Sequence, residues 1–163
     1  MKKLVLFLCL CLLLLCSASV VFGRGTLSDL DGFETYFGKS KSVVRVIAPN
    51  YSETSDGKSY FVDYIDNGNN GYVALVVDFN ENDVASFINV VIDSDTVKNE
   101  LGGDLYRVFS FGIYLLGIDS ADLIDIEEDE DGSHVYGRFK GAIACGCYEA
   151  DSFYTVLCTG VIE

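Results

Sequence analysis

Histidine occurs once in this chain, at His134, and proline once, at Pro49. A single histidine excludes every metal motif built on paired histidines. No glycine-rich phosphate loop and no G-x-S-x-G turn occurs, so the usual nucleotide-binding and serine-hydrolase signatures are missing. No long proline- or serine-rich linker divides the chain, and one domain is expected. Basic residues are scarce: 11 lysines and arginines stand against 25 aspartates and glutamates, a net charge of −14. Such a surface repels nucleic acid and anionic membrane, and neither is expected as a partner. The charge does not imply disorder, because 50% of the residues are apolar and 13% aromatic, well above a disordered composition.

What is present starts with an apolar run. Lys2 and Lys3 precede residues 4–15, LVLFLCLCLLLL, and the small residues Cys16, Ser17, Ala18 and Ser19 follow. That is the layout of a secretory signal. Cleavage after Ser19 or after Gly23 leaves small residues at the critical positions. Residues 1–23 are therefore read as a signal peptide and residues 24–163 as a single α+β domain. Removal takes away Lys2 and Lys3 and no acid, leaving 9 basic and 25 acidic residues, a net charge of −16. The alternative is a retained anchor, since residues 4–22 approach the length of a membrane-spanning helix. The signal reading makes the protein secreted, periplasmic or cell-surface, where disulfides form.

Cys145, Cys147 and Cys158 lie beyond the signal. An odd number leaves one thiol outside any single intramolecular bridge. If Asp151 and Ser152 form a turn, Cys145 faces Cys158; a wider loop brings Cys147 opposite instead. Buried free thiols are the plain alternative. Asn50-Tyr51-Ser52 is a glycosylation sequon in a eukaryotic secretory pathway.

Residues 27–38, LSDLDGFETYFG, read as a short helix with Ser28 as N-cap and Gly38 as stop. Residues 42–49, 59–66 and 72–79 are rich in β-branched and aromatic side chains and read as strands. Asp56-Gly57 and the NGNNG of 67–71 supply the turns between them. Val84, Phe87, Ile88 and Val91 then recur at helical spacing. Leu105, Val108, Phe109, Gly112 and Leu116 mark a further helix, with Asp104 at its start and Gly117 at its end. Residues 122–128, 134–147 and 153–162 read as strands. The expected fold is α+β. Its mostly antiparallel sheet has about six strands in two three-stranded meanders, packed by a short N-terminal helix and a central helical segment.

The most acidic stretch is IDIEEDEDGSHVYGRF, residues 124–139. With Asp131-Gly132 as a hairpin turn, Asp129 faces His134, Glu127 faces Tyr136 and Asp125 faces Arg138. Cross-strand pairs of opposite charge stabilise such a hairpin by about 0.2–1 kcal/mol each. The competing reading is a calcium loop started by Glu127, Asp129, Asp131 and Gly132. It fails at its twelfth position, where Arg138 stands in place of a bidentate glutamate. The same defect meets a loop begun by Asp66, Asn70 and Gly71, whose twelfth position is Val77. No metal and no cofactor is expected; Glu127, Asp129 and Asp131 are the residues a cation would test. Cysteine catalysis is disfavoured, because His134 and the pair Cys145 and Cys147 have opposite parity along one strand.

The tyrosines suggest a surface. With Asp56-Gly57 as the turn, Tyr51, Tyr60 and Tyr64 share one sheet face, an amphipathic contact patch. The expected function is an exported, non-enzymatic binding or interaction module with an acidic surface and a tyrosine-bearing sheet face, its partner a protein or small ligand. The alternatives are a carboxylate-based hydrolase, using a pair such as Asp63 with Asp66, and a divalent-cation binder.

Overall fold

The computed structural model describes residues 32–66 and 72–161. The signal reading over 1–23, the first part of the expected N-terminal helix and the NGNNG turn lie outside them, as do Asn70 and Gly71.

Among the described residues, eight strands form one antiparallel sheet. They are β1 (Ser52–Glu53), β2 (Ser59–Asp66), β3 (Tyr72–Phe79), β4 (Ala85–Asp93), β5 (Leu123–Glu128), β6 (His134–Phe139), β7 (Ile143–Ala150) and β8 (Phe153–Thr159). The spatial order is β1-β2-β3-β4-β8-β7-β6-β5, so two meanders meet where β4 pairs with β8. Helices α1 (Phe33–Tyr36) and α2 (Lys41–Ile47) precede the first meander, and α3 (Ser94–Glu100) and α4 (Leu105–Leu115) precede the second. The α+β class and the antiparallel sheet agree with the sequence reading; each meander has four strands rather than three.

Three segments depart from that reading. Residues 134–147, expected as one strand, are two: β6 and β7 pair antiparallel across a turn at Lys140–Ala142, where Gly141 takes a positive φ, so His134 and Cys145 do not lie along one strand. Residues 42–49, expected as a strand, lie largely within α2. The reason is a helical stripe with charged members: Lys41, Val44, Arg45 and Ala48 fall at i, i+3, i+4 and i+7. Val44 is fully buried, the Lys41 ammonium lies 5.3 Å from the Tyr60 ring centroid, and Arg45 Nε donates to the Tyr60 hydroxyl at 2.6 Å. Residues 84–91, expected as a helix, lie mostly in β4. Ile88, Val90 and Ile92 are fully buried there, and Phe87 and Asn89 take the alternate positions. Its β-branched content suits a strand between two others better than a helix.

The described helices cover one face of the sheet. Register pairs Val73, Leu75 and Val77 of β3 with Ile92, Val90 and Ile88 of β4. Those in turn pair with Tyr154, Val156 and Cys158 of β8, and all nine are buried. Each large apolar side chain buried this way contributes about 1.5–3 kcal/mol. Phe33, Val44, Val97 and Phe109 bring α1, α2, α3 and α4 into the same core. α4 spans β6, β7 and β8. Asp104 caps it by accepting from the Arg107 amide at 3.1 Å. Gly117, at φ +69°, ends it in the left-handed conformation glycine tolerates, and Ile118 N–H reaches back to the Ile113 carbonyl at 3.0 Å. No described helix packs on the opposite face, and none is long and apolar enough to cross a membrane.

Candidate functional site

Among the described residues, no helix covers the other face of the sheet. Register lines up Ser52, Phe61, Val76, Asn89, Leu157, Gly146, Tyr136 and Glu127 in one row across all eight strands. A second row runs Tyr64, Ala74, Val91, Thr155, Tyr148 and His134. The middle of each row is made of small or medium side chains, and aromatic rings stand towards the ends. Phe61, Tyr64, Phe87, Tyr136 and Phe153 are 36% to 63% exposed. Five exposed aromatic side chains on one sheet face are unusual for a surface in contact with water alone.

The three tyrosines singled out in the sequence do not share this face. β2 shifts register between Phe61 and Asp63. The extra residue reverses the alternation, so Tyr60 faces the core opposite Val77 and Tyr64 faces outward opposite Ala74. Tyr60 is fully buried, and Tyr51 packs on it with ring centroids 4.3 Å apart. Tyr64 alone of the three, 63% exposed, lies on the uncovered face. The sequence reading missed Phe87 and Asn89, which belong to the segment taken for a helix. The signal was there: SFINVVID sets a polar residue between β-branched neighbours at strand spacing.

Asn89 lies at the centre. It is 6% exposed, and its Nδ2 donates to Asp78 Oδ2. Its Oδ1 is buried without a hydrogen-bond partner.

The acidic hairpin has the expected pairs. Glu127 faces Tyr136, and Asp125 faces Arg138, whose Nε donates to Asp125 Oδ1 at 3.0 Å. A register shift between Leu123 and Asp125 brings Leu123 opposite Phe139 and leaves Ile124 exposed. At the turn, Asp129 Oδ1 accepts from the His134 amide at 2.9 Å, and Oδ2 lies 2.7 Å from His134 Nδ1 and 2.9 Å from Ser133 Oγ. The His134 amide above all, with the His134 and Ser133 side chains, holds the Asp129 carboxyl far below the usual carboxylate range. Asp129, Asp131 and His134 have ligand atoms within 4.8 Å of one another. Glu127 is outside this group, on the strand with Tyr136. Asp131 Oδ1 also accepts from the Ser133 amide at 3.0 Å. The turn's own donors thus engage both oxygens of Asp129 and one of Asp131.

Beside this turn, an open cleft of about 650 Å³ is lined by Asp104, Glu128, Glu149 and Asp151 together with Tyr106, Tyr154 and His134. No described lysine or arginine lines it. Tyr106 donates to Glu128 Oε2 at 3.0 Å. A catalytic carboxylic acid is kept protonated by an apolar enclosure, whereas Glu128 and Glu149 are both exposed. Of the other acid pair considered, Asp63 with Asp66, the Asp66 side chain lies outside what the structure describes.

Cys145 and Cys158 face each other and form a disulfide, and Cys147 is a buried free thiol. Burial pushes the Cys147 thiol up to about 12, far from the thiolate a nucleophile needs. His134 pairs with Tyr148 on the uncovered face, while Cys145 and Cys147 are buried in the core on the other side.

Compared with known protein families, characterised proteins and solved structures, the chain matches none.

Proposed function

We propose that the protein is an exported, non-enzymatic binding module that uses the uncovered face of its sheet as the contact surface. The observation that carries this reading is the one-sided helix layer: α1 to α4 join a single core, and the opposite face exposes Phe61, Tyr64, Phe87, Tyr136 and Phe153. Aromatic side chains supply large contact area at low entropic cost, and tyrosine adds a polar handle. The Cys145–Cys158 disulfide fits an oxidising compartment outside the cytoplasm. The test is a photo-crosslinking amino acid placed at Tyr64 or Tyr136, and at Tyr114 on the outer side of α4 as control, in the exported protein in its native setting. Crosslinked products from Tyr64 and Tyr136 but not Tyr114 are expected. Equal yield from Tyr114, or none from the sheet face, overturns the reading.

A second reading rests on the acidic cleft, whose four carboxylates and absent basic residues suit a divalent cation or a carboxylate-based hydrolase. A calcium-dependent rise in melting temperature that Asp104→Asn and Glu149→Gln abolish would favour it.

A further inference from the structure

We propose that the uncovered face takes a polypeptide presenting an arginine or lysine side chain, and that Asp78 and Asn89 form the point where the cation docks. This rests on the reading of that face as the contact surface and names its partner's chemistry.

Asn89 stands in the middle of the row, between Val76 on β3 and Leu157 on β8. The Asp78 carboxylate accepts from Asn89 Nδ2, which fixes the amide: its oxygen cannot face the carboxylate. That oxygen is left buried and without a donor. Native proteins keep few such acceptors, because each forgoes a hydrogen bond that water would have given. The group that satisfies Asn89 Oδ1 must be a donor, and beside the Asp78 carboxylate a charged donor gains more than a neutral one.

The surroundings agree. Phe87 lies directly opposite Asp78 on β4, and Phe61 lies opposite Val76 on β2, next along the same face. Both rings are partly exposed, at 38% and 44%. A guanidinium or ammonium entering between them gains the attraction of the ring faces as well as the carboxylate. Arginine, with its fork of donors, can serve two acceptors at once.

Charge excludes the main competitor. Among the described strand residues facing this side, Arg138 is the sole lysine or arginine, and it is paired with Asp125, while His134 is held by Asp129. The chain carries −14 overall. A second copy would bring the same charge to the interface, whereas a cationic segment is drawn to it.

The test is an NMR titration of the full exported protein with a capped peptide of leucines and serines around one arginine, beside the same peptide with citrulline, which keeps the shape and removes the charge. The arginine peptide is expected to shift the Asn89 side-chain amide and the Phe61 and Phe87 rings, and to bind at least tenfold more tightly than its citrulline twin. Asp78→Asn should erase that ratio. The wild-type titration decides the matter even if that variant folds poorly. Shifts confined to the acidic turn with Asn89 unmoved, or no binding at millimolar peptide, overturn the proposal. Equal affinity of both peptides, with shifts still on Phe61 and Tyr64, overturns the cation point and leaves the contact face standing. Absence of crosslinks at Tyr64 and Tyr136 removes both.

Discussion

Gly112 of α4 lies so close to Val156 of β8 that a methyl group on the glycine would come within 2.4 Å of Val156 Cγ2. Val156 is fully buried and has no room to withdraw. Gly112→Ala is therefore expected to lift α4 off the sheet and destabilise the domain by about 1–3 kcal/mol, despite alanine's better helix propensity. Urea unfolding measures this, and adding Val156→Ala should recover part of the loss. A more stable single variant would show that helix and sheet do not touch here.

Cys147 should resist alkylation in the folded protein. Its thiol is buried and pushed up to about 12, so almost no thiolate exists near neutral pH. Intact mass after iodoacetamide should show no adduct until denaturant is added. Reduction should then free two further thiols, Cys145 and Cys158. With its ends 13 positions apart in sequence, that bridge contributes about 3 kcal/mol at most through chain entropy. A folded protein alkylated within minutes would contradict the burial.

Acid should unfold the protein in part through Asp129 and Asp93. The His134 amide first, then the His134 and Ser133 side chains, hold Asp129 below the usual carboxylate range. Burial pushes Asp93 up, but donors from Thr96 and Tyr72 outweigh it and hold it low as well. Both groups have folded pKa values below their unfolded ones, so their stabilisation is present above the unfolded value of ~4 and fades as pH falls below it. Asp129→Asn should flatten the acid limb of a plot of stability against pH and leave the Asp93 share. An unchanged acid limb would mean that the turn is open in solution.

Asp93 also joins three elements. Its carboxylate caps α3 through the Thr96 amide at 2.9 Å and accepts from the Tyr72 amide at the start of β3 at 2.6 Å. It is only 7% exposed. Asp93→Ala removes a cap and leaves buried donors unsatisfied, a loss of about 3 kcal/mol. Asp93→Asn, which keeps one acceptor, should lose less. Thermal melts of the two variants set the order; equal melting temperatures would assign the effect to packing alone.

The sequence was most legible where turn chemistry and parity act together. Asp131-Gly132 set the register of the β5–β6 hairpin, while the turn at Asp151-Ser152, one of the two registers left open, is the one that puts Cys145 opposite Cys158. Asp104 and Gly117 marked both ends of α4. It misled where a tertiary contact decides. Lys41 and Arg45 look like solvated charges until Tyr60 is beneath them. Val84, Phe87, Ile88 and Val91 fit a helical stripe by coincidence, while neighbouring strands supply the hydrogen bonds that make β4. The face shared by Tyr51, Tyr60 and Tyr64 dissolved through one register shift after Phe61, a backbone event with no composition signal. The face that remains is carried by residues from both meanders, which no local reading brings together.

The junction of the two meanders has a consequence for how the chain matures. β8 is the last described strand in sequence, yet it sits in the middle of the sheet between β4 and β7. A chain emerging from its amino end completes the first meander with the long edge of β4 unpaired, and that edge reads ASFINVVID. An apolar edge of this kind invites pairing with other chains. It stays open until β8 arrives, across a sequence gap that makes closure slow. Assembly is therefore gated by β8, and a chain stalled before it would be sticky rather than half useful.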